Sequence, residues 1–181
     1  ESLENAYKLN AIILDKTGTI TAGKPEVTEM IWDDRVTDKA YHLNAIKLLE
    51  SRSEHPLAQA IVNYIKPGTT GEISGFESIT SSGVTGDFEG NNYKIGTLSF
   101  LESCDIEMKE DLKKVASELQ SQAQTVVGIS VVNSLVAIIA IADQIKPTSK
   151  VAIEKLSAQN LEVYMLTGDN LQTATAVAKA L

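Results

Sequence analysis

Several features are scarce in this chain of 181 residues, and each scarcity excludes a class of protein. Its one cysteine, Cys104, excludes an intramolecular disulfide and fits a reducing compartment. Its most apolar run, residues 135–142, is far shorter than the ~20 residues that a membrane-spanning helix needs. Lys and Arg number 16 against 24 Asp and Glu, and a net charge of −8 argues against a nucleic-acid partner. We therefore expect a soluble globular chain.

The most informative segment is a polar turn directly after an apolar strand. Residues 11–14 are Ala-Ile-Ile-Leu, and they are followed by Asp15, Lys16, Thr17, Gly18 and Thr19. A buried strand can deliver one carboxylate into such a turn, whose oxygens and backbone N–H groups can hold a phosphoryl group and its metal. Attack by that carboxylate on the terminal phosphate of ATP gives an aspartyl phosphate, a covalent intermediate. The segment predicts a nucleophilic aspartate, although a strand that merely ends in a polar turn has the same pattern.

Hydrophobic periodicity predicts an alternation of strands and helices along the chain. Apolar runs and period-two alternation predict strands at residues 11–14, 27–32, 73–79, 84–88, 93–95, 125–132, 135–142 and 162–166. Apolar stripes at helical spacing predict helices at residues 41–49, 56–65, 108–119, 148–157 and 171–181. Residues 89–92 are predicted to turn a hairpin.

This order of elements indicates an α/β protein with two domains. The first strand and the last ~45 residues have the pattern of a parallel α/β unit, whose site should lie at the carboxyl ends of its strands. The middle of the chain has the pattern of a strand-rich α+β insert. We therefore predict a discontinuous domain formed by residues 1–26 and 135–181, with a second domain, residues 27–134, inserted after the Asp15 turn.

A second polar turn is expected at the same edge of the sheet as Asp15. Thr167, Gly168, Asp169 and Asn170 follow the predicted strand at 162–166 and precede a helix. They would offer a hydroxyl, backbone N–H groups and a helix N-terminus to an anion. Asp and Asn are also favoured helix caps, so the turn by itself fits a simple helix start. Together with the first turn it predicts one anion-binding crevice.

A third motif, Ser-Glu-His-Pro-Leu-Ala, occupies residues 53–58 at the junction of two predicted helices. A lone histidine is more often a surface or cap residue than a functional one. His55, however, precedes a helix that begins at Pro56, and the positive end of a helix favours a neutral imidazole. A neutral ring in a solvent-facing cleft is suited to stacking on adenine.

The three motifs, in this order and spacing, resemble those of P-type ATPases, the cation pumps that pass through a phosphoaspartate. The motif around His55 is similar to the one that marks the heavy-metal pumps, type IB. In the wider haloacid dehalogenase superfamily the position two after the nucleophile is usually an acid/base Asp; here it is Thr17, which is no efficient general base. The resemblance covers about Leu3 to Leu181. It implies a partial haloacid-dehalogenase-like Rossmannoid phosphorylation domain and an inserted nucleotide-binding domain, an antiparallel sheet flanked by helices.

The resemblance also implies roles for single residues. Asp15 would accept the γ-phosphate of ATP, and Mg²⁺ would be bound by the Asp15 carboxylate and the Thr17 backbone carbonyl. Thr167 and the Gly168 amide would hold the transferred oxygens, while Lys16 would orient the loop or its charges. The implied catalytic residues are Asp15, Lys16, Thr17, Thr167, Gly168 and Asp169, and the implied nucleotide-binding residues are Glu50, His55, Ser81, Gly83 and Gly96.

The nucleotide-binding residues carry alternatives of their own. Glu50 matches a family position that contacts the adenine amino group, but it is equally a candidate for a solvated carboxylate on a helix face. Gly83 and Gly96 match two glycines near the nucleotide, but glycines here also suit a hairpin. Ser81 stands where the family has a third glycine, and this departure restricts the backbone. Residues 143–147 resemble the family's link back into the phosphorylation domain.

The resemblance sets expectations about the rest of the protein as well. The sequence begins Glu-Ser-Leu and ends inside a predicted helix, so both ends are expected to be cut. The family carries a lysine and a Gly-Asp-Gly-x-Asn-Asp motif further downstream, and without them this chain is expected to bind nucleotide weakly and to hydrolyse ATP poorly. The chain would be a cytoplasmic part of an integral membrane pump, with the membrane helices and actuator domain as partners and a heavy-metal ion, copper by analogy, as cargo.

Two other functions stay open on the sequence. A soluble phosphatase of the haloacid dehalogenase class would share the fold, although Thr17 and the His55 motif count against it. A noncatalytic nucleotide-binding module would keep the insert and its ligand but make no phosphoenzyme.

Overall fold

The computed structural model describes residues 9–66, 68 and 70–181; residues 1–8, Pro67 and Thr69, on which parts of the predicted first domain and of the motif resemblance fall, lie outside the described residues. The strands are β1 (Ala11–Asp15), β2 (Glu26–Trp32), β3 (Ile73–Ile79), β4 (Gly83–Phe88), β5 (Asn91–Thr97), β6 (Thr125–Val131), β7 (Ser134–Ala142) and β8 (Glu162–Leu166). The helices are α1 (Lys39–Glu50), α2 (Pro56–Tyr64), α3 (Leu98–Ser103), α4 (Glu110–Ser121), α5 (Pro147–Ala158) and α6 (Leu171–Ala180). None of these described helices is long and apolar enough to cross a membrane.

The strands form two separate sheets. β1 and β8 pair in parallel as a two-stranded sheet, and the other six form an antiparallel sheet in the order β2-β7-β6-β5-β4-β3. The chain therefore leaves the parallel sheet after β1, builds the antiparallel sheet, and returns through α5 to β8. This is the predicted fold class, a partial α/β domain interrupted by an α+β insert, and it is confirmed.

The antiparallel sheet is covered by helices on both faces. On one face Ile46 and Leu49 of α1 and Ile61 of α2 pack with Tyr93, Ile139 and other buried residues of the sheet. On the other face Leu101 of α3 and Leu112 and Leu119 of α4 pack with Leu135, Ile138 and Ala140. Successive residues of a strand point to opposite faces, so β7 has to be apolar at nearly every position. The most apolar run of the sequence is thus a central strand buried from both sides.

The position of β7 bears on the predicted domain boundary. The sequence placed the end of the insert at residue 134 and assigned residues 135–181 to the phosphorylation domain. Instead, β7 pairs with β2 on one side and β6 on the other, so the sheet of the insert continues to Ala142. The first boundary, at residue 26, coincides with the first residue of β2.

Two local features differ from the sequence prediction. The hairpin loop between β4 and β5 has two residues, Glu89 and Gly90, both with positive φ (49° and 80°), and residues 91–92 belong to β5 rather than to the loop. Two-residue hairpins favour such left-handed backbone because it matches the twist of the strands. The short helix α3 was not predicted, because its six residues are too few to show helical periodicity.

Candidate active site

Asp15 lies at the carboxyl end of β1, level with the end of its neighbouring strand. β1 and β8 run parallel with Asp15 opposite Leu166, so that the turn of residues 167–170 begins directly beside Asp15. Asp15 is exposed, whereas the next residue, Lys16, is buried. The two polar turns thus meet at one edge of the sheet, as the strand pattern predicted.

The loop after Asp15 is a single wide turn. Thr21 N donates to Lys16 O at 3.0 Å and closes it. Gly18 has a φ of +76°, in the left-handed region that glycine enters at little cost. The Gly18 N–H donates to Thr21 Oγ1 at 3.3 Å, and residues 17–19 face solvent next to Asp15.

Asp143, in the segment after β7, holds the far end of this loop. Its carboxylate accepts from Thr21 Oγ1 at 2.5 Å and from the backbone amides of Gly23 at 3.2 Å and Lys24 at 3.1 Å. Three donors on one carboxylate fix the course of the chain from the loop towards β2. The sequence identified this segment only as a link between domains.

Lys146 and Ser149 bind the middle of the same loop. Lys146 Nζ donates to Gly18 O at 2.6 Å, and its backbone N–H donates to Ile20 O at 3.0 Å. Ser149 Oγ, at the start of α5, donates to Ile20 O at 2.7 Å. Because these donors bind two carbonyls of the loop, the link from the insert into α5 also shapes the turn that follows Asp15.

Lys16 turns inward and forms an ion pair with Asp169. Lys16 Nζ donates to Asp169 Oδ2, and each side chain is 10% exposed. Thr167 Oγ1 donates to the same carboxylate oxygen at 2.9 Å, and Thr125 Oγ1, from the first residue of β6, donates to Asp169 Oδ1 at 2.8 Å. Asp169 thus joins both polar turns and the insert. The Lys16 side chain is therefore not solvated, and its orienting role stays a prediction.

The environment keeps Asp169 ionised. Burial raises the pKa of its carboxyl, but the hydrogen bond and charge of Lys16, together with the hydroxyls of Thr125 and Thr167, lower it by more. The net pKa lies below the ordinary value of 3.8. At neutral pH the anion therefore neutralises the Lys16 ammonium and accepts the Thr167 hydroxyl.

Glu50 is the last residue of α1 and is buried, 6% exposed. Burial, with no charge or hydrogen bond from the described residues to offset it, raises the pKa of its carboxyl from 4.5 to about 7. The alternative of a solvated carboxylate on a helix face is therefore wrong. Because the described residues donate no hydrogen bond to this carboxyl, a ligand amino group could satisfy it.

His55 is the N-cap of α2. Its Nδ1 accepts from the backbone N–H of Leu57 at 3.2 Å, which places the proton of the neutral ring on Nε2. The ring is exposed. This geometry is that of an ordinary helix cap, and stacking of the exposed ring on adenine stays a prediction.

Gly83 and Gly96 face each other across β4 and β5. A Cβ on Gly83 would lie 2.1 Å from Ile95 O, and one on Gly96 would lie 2.2 Å from Ser82 O. Close strand packing is thus a sufficient reason for both glycines. Ser81 has a φ of +60°, a conformation that glycine adopts more readily. Contact of these three residues with nucleotide stays a prediction.

Four residues of this site escaped the sequence analysis in that role: Thr125, Asp143, Lys146 and Ser149. Thr125 carries no signal in the sequence, because it is the first residue of an ordinary strand. Residues 143–147 were identified from the sequence only as a link between domains. The polar side chains in that segment were the one signal that it could bind the loop after Asp15.

Comparison with known proteins defines the class of this fold and site. The sequence profile of the haloacid dehalogenase-like hydrolases matches residues 9–181, and the chain belongs to that family. It is 41% identical, over its whole length and 24% of the relative, to the "probable copper-transporting ATPase PacS" of Synechococcus elongatus. It is 40% identical, over 99% of its length and 24% of the relative, to the "probable copper-importing P-type ATPase A" of Enterococcus hirae.

A solved structure of a related ATPase has a similar fold. The catalytic domain of the CPx-ATPase CopB-B is similar with a TM-score of 0.70 and 25% identity, over 99% of this chain and 60% of the other. The resemblance to heavy-metal P-type ATPases that the three motifs predicted is confirmed. The chain spans about a quarter of the length of these two relatives.

Proposed function

We propose that this chain is the ATP-binding and phosphorylation unit of a heavy-metal cation-transporting ATPase and that Asp15 forms its aspartyl phosphate. The observation that carries the proposal is the register of β1 against β8, because it puts an exposed carboxylate beside the turn of Thr167 and Gly168. The copper-transporting relatives support this kind of pump over other members of the family.

In this proposal an Asp15 carboxylate oxygen attacks the γ-phosphorus of ATP, the bond from that phosphorus to the β-phosphate oxygen breaks, and ADP leaves. The neighbours of Asp15 stabilise the transferred group. The Thr167 hydroxyl and the Gly168 amide hold the phosphoryl oxygens. Apart from Gly168 and its two chain neighbours, no heavy atom of the described residues lies within 4 Å of where a Gly168 side chain would begin. Lys16, ion-paired with Asp169, orients the loop that follows the nucleophile. Thr17 stands where an acid/base would release the phosphoryl group quickly, and its hydroxyl favours a long-lived phosphoenzyme.

The oxygens at this edge fit Mg²⁺. Among the residues that the structure describes, no three His, Cys, Asp or Glu side chains cluster to hold a metal ion. Mg²⁺ commonly keeps several waters and takes one or two carboxylates together with the phosphates of its substrate, which suits an exposed strand end. We assign the Asp15 carboxylate and the Thr17 carbonyl as its protein ligands, where the ion would offset repulsion between carboxylate and phosphate.

In this account the insert binds the nucleotide. Glu50 accepts from the adenine amino group, and the neutral ring of His55 stacks on the base. Ser81, Gly83 and Gly96 lie in the strands and turn that complete the assigned site. The insert then consists of about residues 26–142, the extent of its sheet, and the phosphorylation domain of the residues on either side.

The wider assignment follows from the relatives. We place the chain on the cytoplasmic side of a membrane pump, with the membrane helices and actuator domain of that pump as its partners and a heavy-metal ion as cargo. Copper is the proposed cargo because the named function of both relatives is copper transport. The acidic surface offers no support for a nucleic-acid partner.

Calorimetric titration with ATP tests the nucleotide site. Base–aromatic stacking contributes about 1–3 kcal/mol, so His55→Gln should weaken ATP binding about tenfold. The same substitution at the other histidine, His42→Gln, is the matched control and should leave the affinity unchanged in a folded variant. Equal affinity of His55→Gln and wild type would contradict the adenine assignment. Fast hydrolysis of a generic phosphoester without nucleotide would instead favour a phosphatase.

A further inference from the structure

Hydrogen bonds from three side chains join the insert to the turn and helix after β8. They connect two short segments, residues 117–125 of the insert and residues 169–173 beyond β8. Gln172 Nε2 donates to Ser117 O at 2.8 Å and to Ser117 Oγ at 3.1 Å, Thr173 Oγ1 donates to Gln124 O at 3.1 Å, and Thr125 Oγ1 donates to Asp169 Oδ1 at 2.8 Å. The two parts of the chain are thus held together along one continuous polar contact.

The acceptor of the Thr125 hydroxyl differs in kind from those of the other two side chains. Gln172 and Thr173 donate to backbone carbonyls and to the Ser117 hydroxyl, whereas Thr125 donates to a carboxylate in the candidate active site. The other oxygen of that carboxylate accepts from Lys16 and from Thr167. The Thr125 hydroxyl of the insert and the Lys16 ammonium therefore donate to the same carboxylate, that of Asp169.

We propose that Thr125 is a positioning residue through which the docked insert holds Asp169, and through Asp169 holds Lys16 and Thr167, in place. The Asp169 side chain is 10% exposed, and a carboxylate at that depth needs a donor for each oxygen. When the insert moves away, Asp169 Oδ1 loses its donor and the carboxylate is free to reorient. Docking of the insert and the geometry of Lys16 are then linked, and the linkage is reciprocal.

The proposal does not depend on the identity of the nucleotide or on phosphorylation of Asp15. All of its contacts lie within the described residues, between two parts of one chain. It can therefore be tested on the 181-residue chain without a ligand, and its failure would leave the proposed function untouched.

The test compares Thr125→Val, which removes the hydroxyl and keeps the shape, with Thr125→Ser, which keeps the hydroxyl. Thr85→Val is the matched control, since the Thr85 hydroxyl lies in the same sheet and donates to Tyr93 O at 3.0 Å, away from Asp169. Two NMR readouts apply to each folded chain. Residual dipolar couplings measure whether the two sheets keep one common orientation, and the side-chain carboxyl ¹³C resonance of Asp169 reports its pKa.

Thr125→Val should lower the ratio of docked to undocked insert about fivefold, the effect of losing one net hydrogen bond of average strength. It should also raise the pKa of Asp169, because one donor to its charged form is lost. Thr125→Ser and Thr85→Val should match the wild type in both readouts. A Thr125→Val chain with unchanged couplings and an unchanged Asp169 resonance would overturn the proposal. If the valine variant fails to fold, Thr125→Ala, which adds no volume, replaces it, and the same two outcomes apply.

Discussion

The burial of Glu50 makes the stability of this chain depend on pH. The carboxyl is 6% exposed, and burial raises its pKa from 4.5 to about 7. The unfolded chain releases this proton near pH 4.5, while the folded chain keeps it until about pH 7, so the free energy of unfolding falls as the pH rises through that window. The difference between 4.5 and about 7, at about 1.36 kcal/mol for each pH unit, amounts to roughly 3 kcal/mol.

Glu50→Gln removes this titration and keeps the shape of the side chain. Wild type should lose stability between about pH 5 and about pH 8, and the variant should not. The free energy of unfolding of the variant minus that of wild type should therefore be about 2–3 kcal/mol larger at about pH 8 than at about pH 5. This is less than the roughly 3 kcal/mol of the whole window, because at about pH 5 the unfolded chain has already released most of this proton. Any cost of burying the amide is the same at both pH values and cancels in the comparison.

Urea unfolding at the two pH values measures the effect, with Glu77→Gln as the control. Glu77 is an exposed carboxylate on β3, and its substitution should change the pH dependence by less than about 0.5 kcal/mol. If Glu50→Gln and Glu77→Gln showed the same pH dependence, the raised pKa that burial gives Glu50 would be refuted. The assignment of that carboxyl to the adenine amino group would lose its physical basis as well.

Two further substitutions test the local geometry. Gly83→Ala should lower the unfolding free energy by about 1–3 kcal/mol, because its Cβ would lie 2.1 Å from Ile95 O, whereas Gly168→Ala has room and should change it little. Equal losses in thermal unfolding would contradict this contrast. Asp143→Ala should speed hydrogen exchange at the Lys24 amide about tenfold, because that amide donates to the charged carboxylate. An unchanged exchange rate would show that Asp143 does not hold the loop.

The outline of the active site could be predicted because it depends on local rules. An apolar strand followed by a polar turn occurs at Asp15 and again at Thr167, and parallel pairing of two such strands brings their carboxyl ends together. The continuous apolar run of β7 likewise predicted a strand. Its place between β2 and β6 could not be predicted, since an apolar run on both faces also suits a strand of the parallel sheet.

The remaining features depend on contacts between distant parts of the chain. Thr125 meets Asp169 across 44 positions of sequence, and nothing near either residue marks the pair. Glu50 lies at the end of an amphipathic helix, where the pattern alone does not decide between the buried and the solvated side; the packing of α1 against α2 and the sheet decides it. The clash that requires Gly83 exists only because β4 pairs with β5 in one register.

Transfer of the γ-phosphate to Asp15 is the central claim, and single-turnover labelling tests it most directly. The concentrated chain is incubated with γ-³²P-labelled ATP and Mg²⁺, quenched in acid, and mapped by mass spectrometry. We predict slow incorporation of an acid-stable, hydroxylamine-labile label at Asp15, absent from Asp15→Asn and retained in Asp34→Asn, whose carboxylate is exposed on the surface. Label that persists in Asp15→Asn, or no label in a chain that binds ATP, would contradict the account.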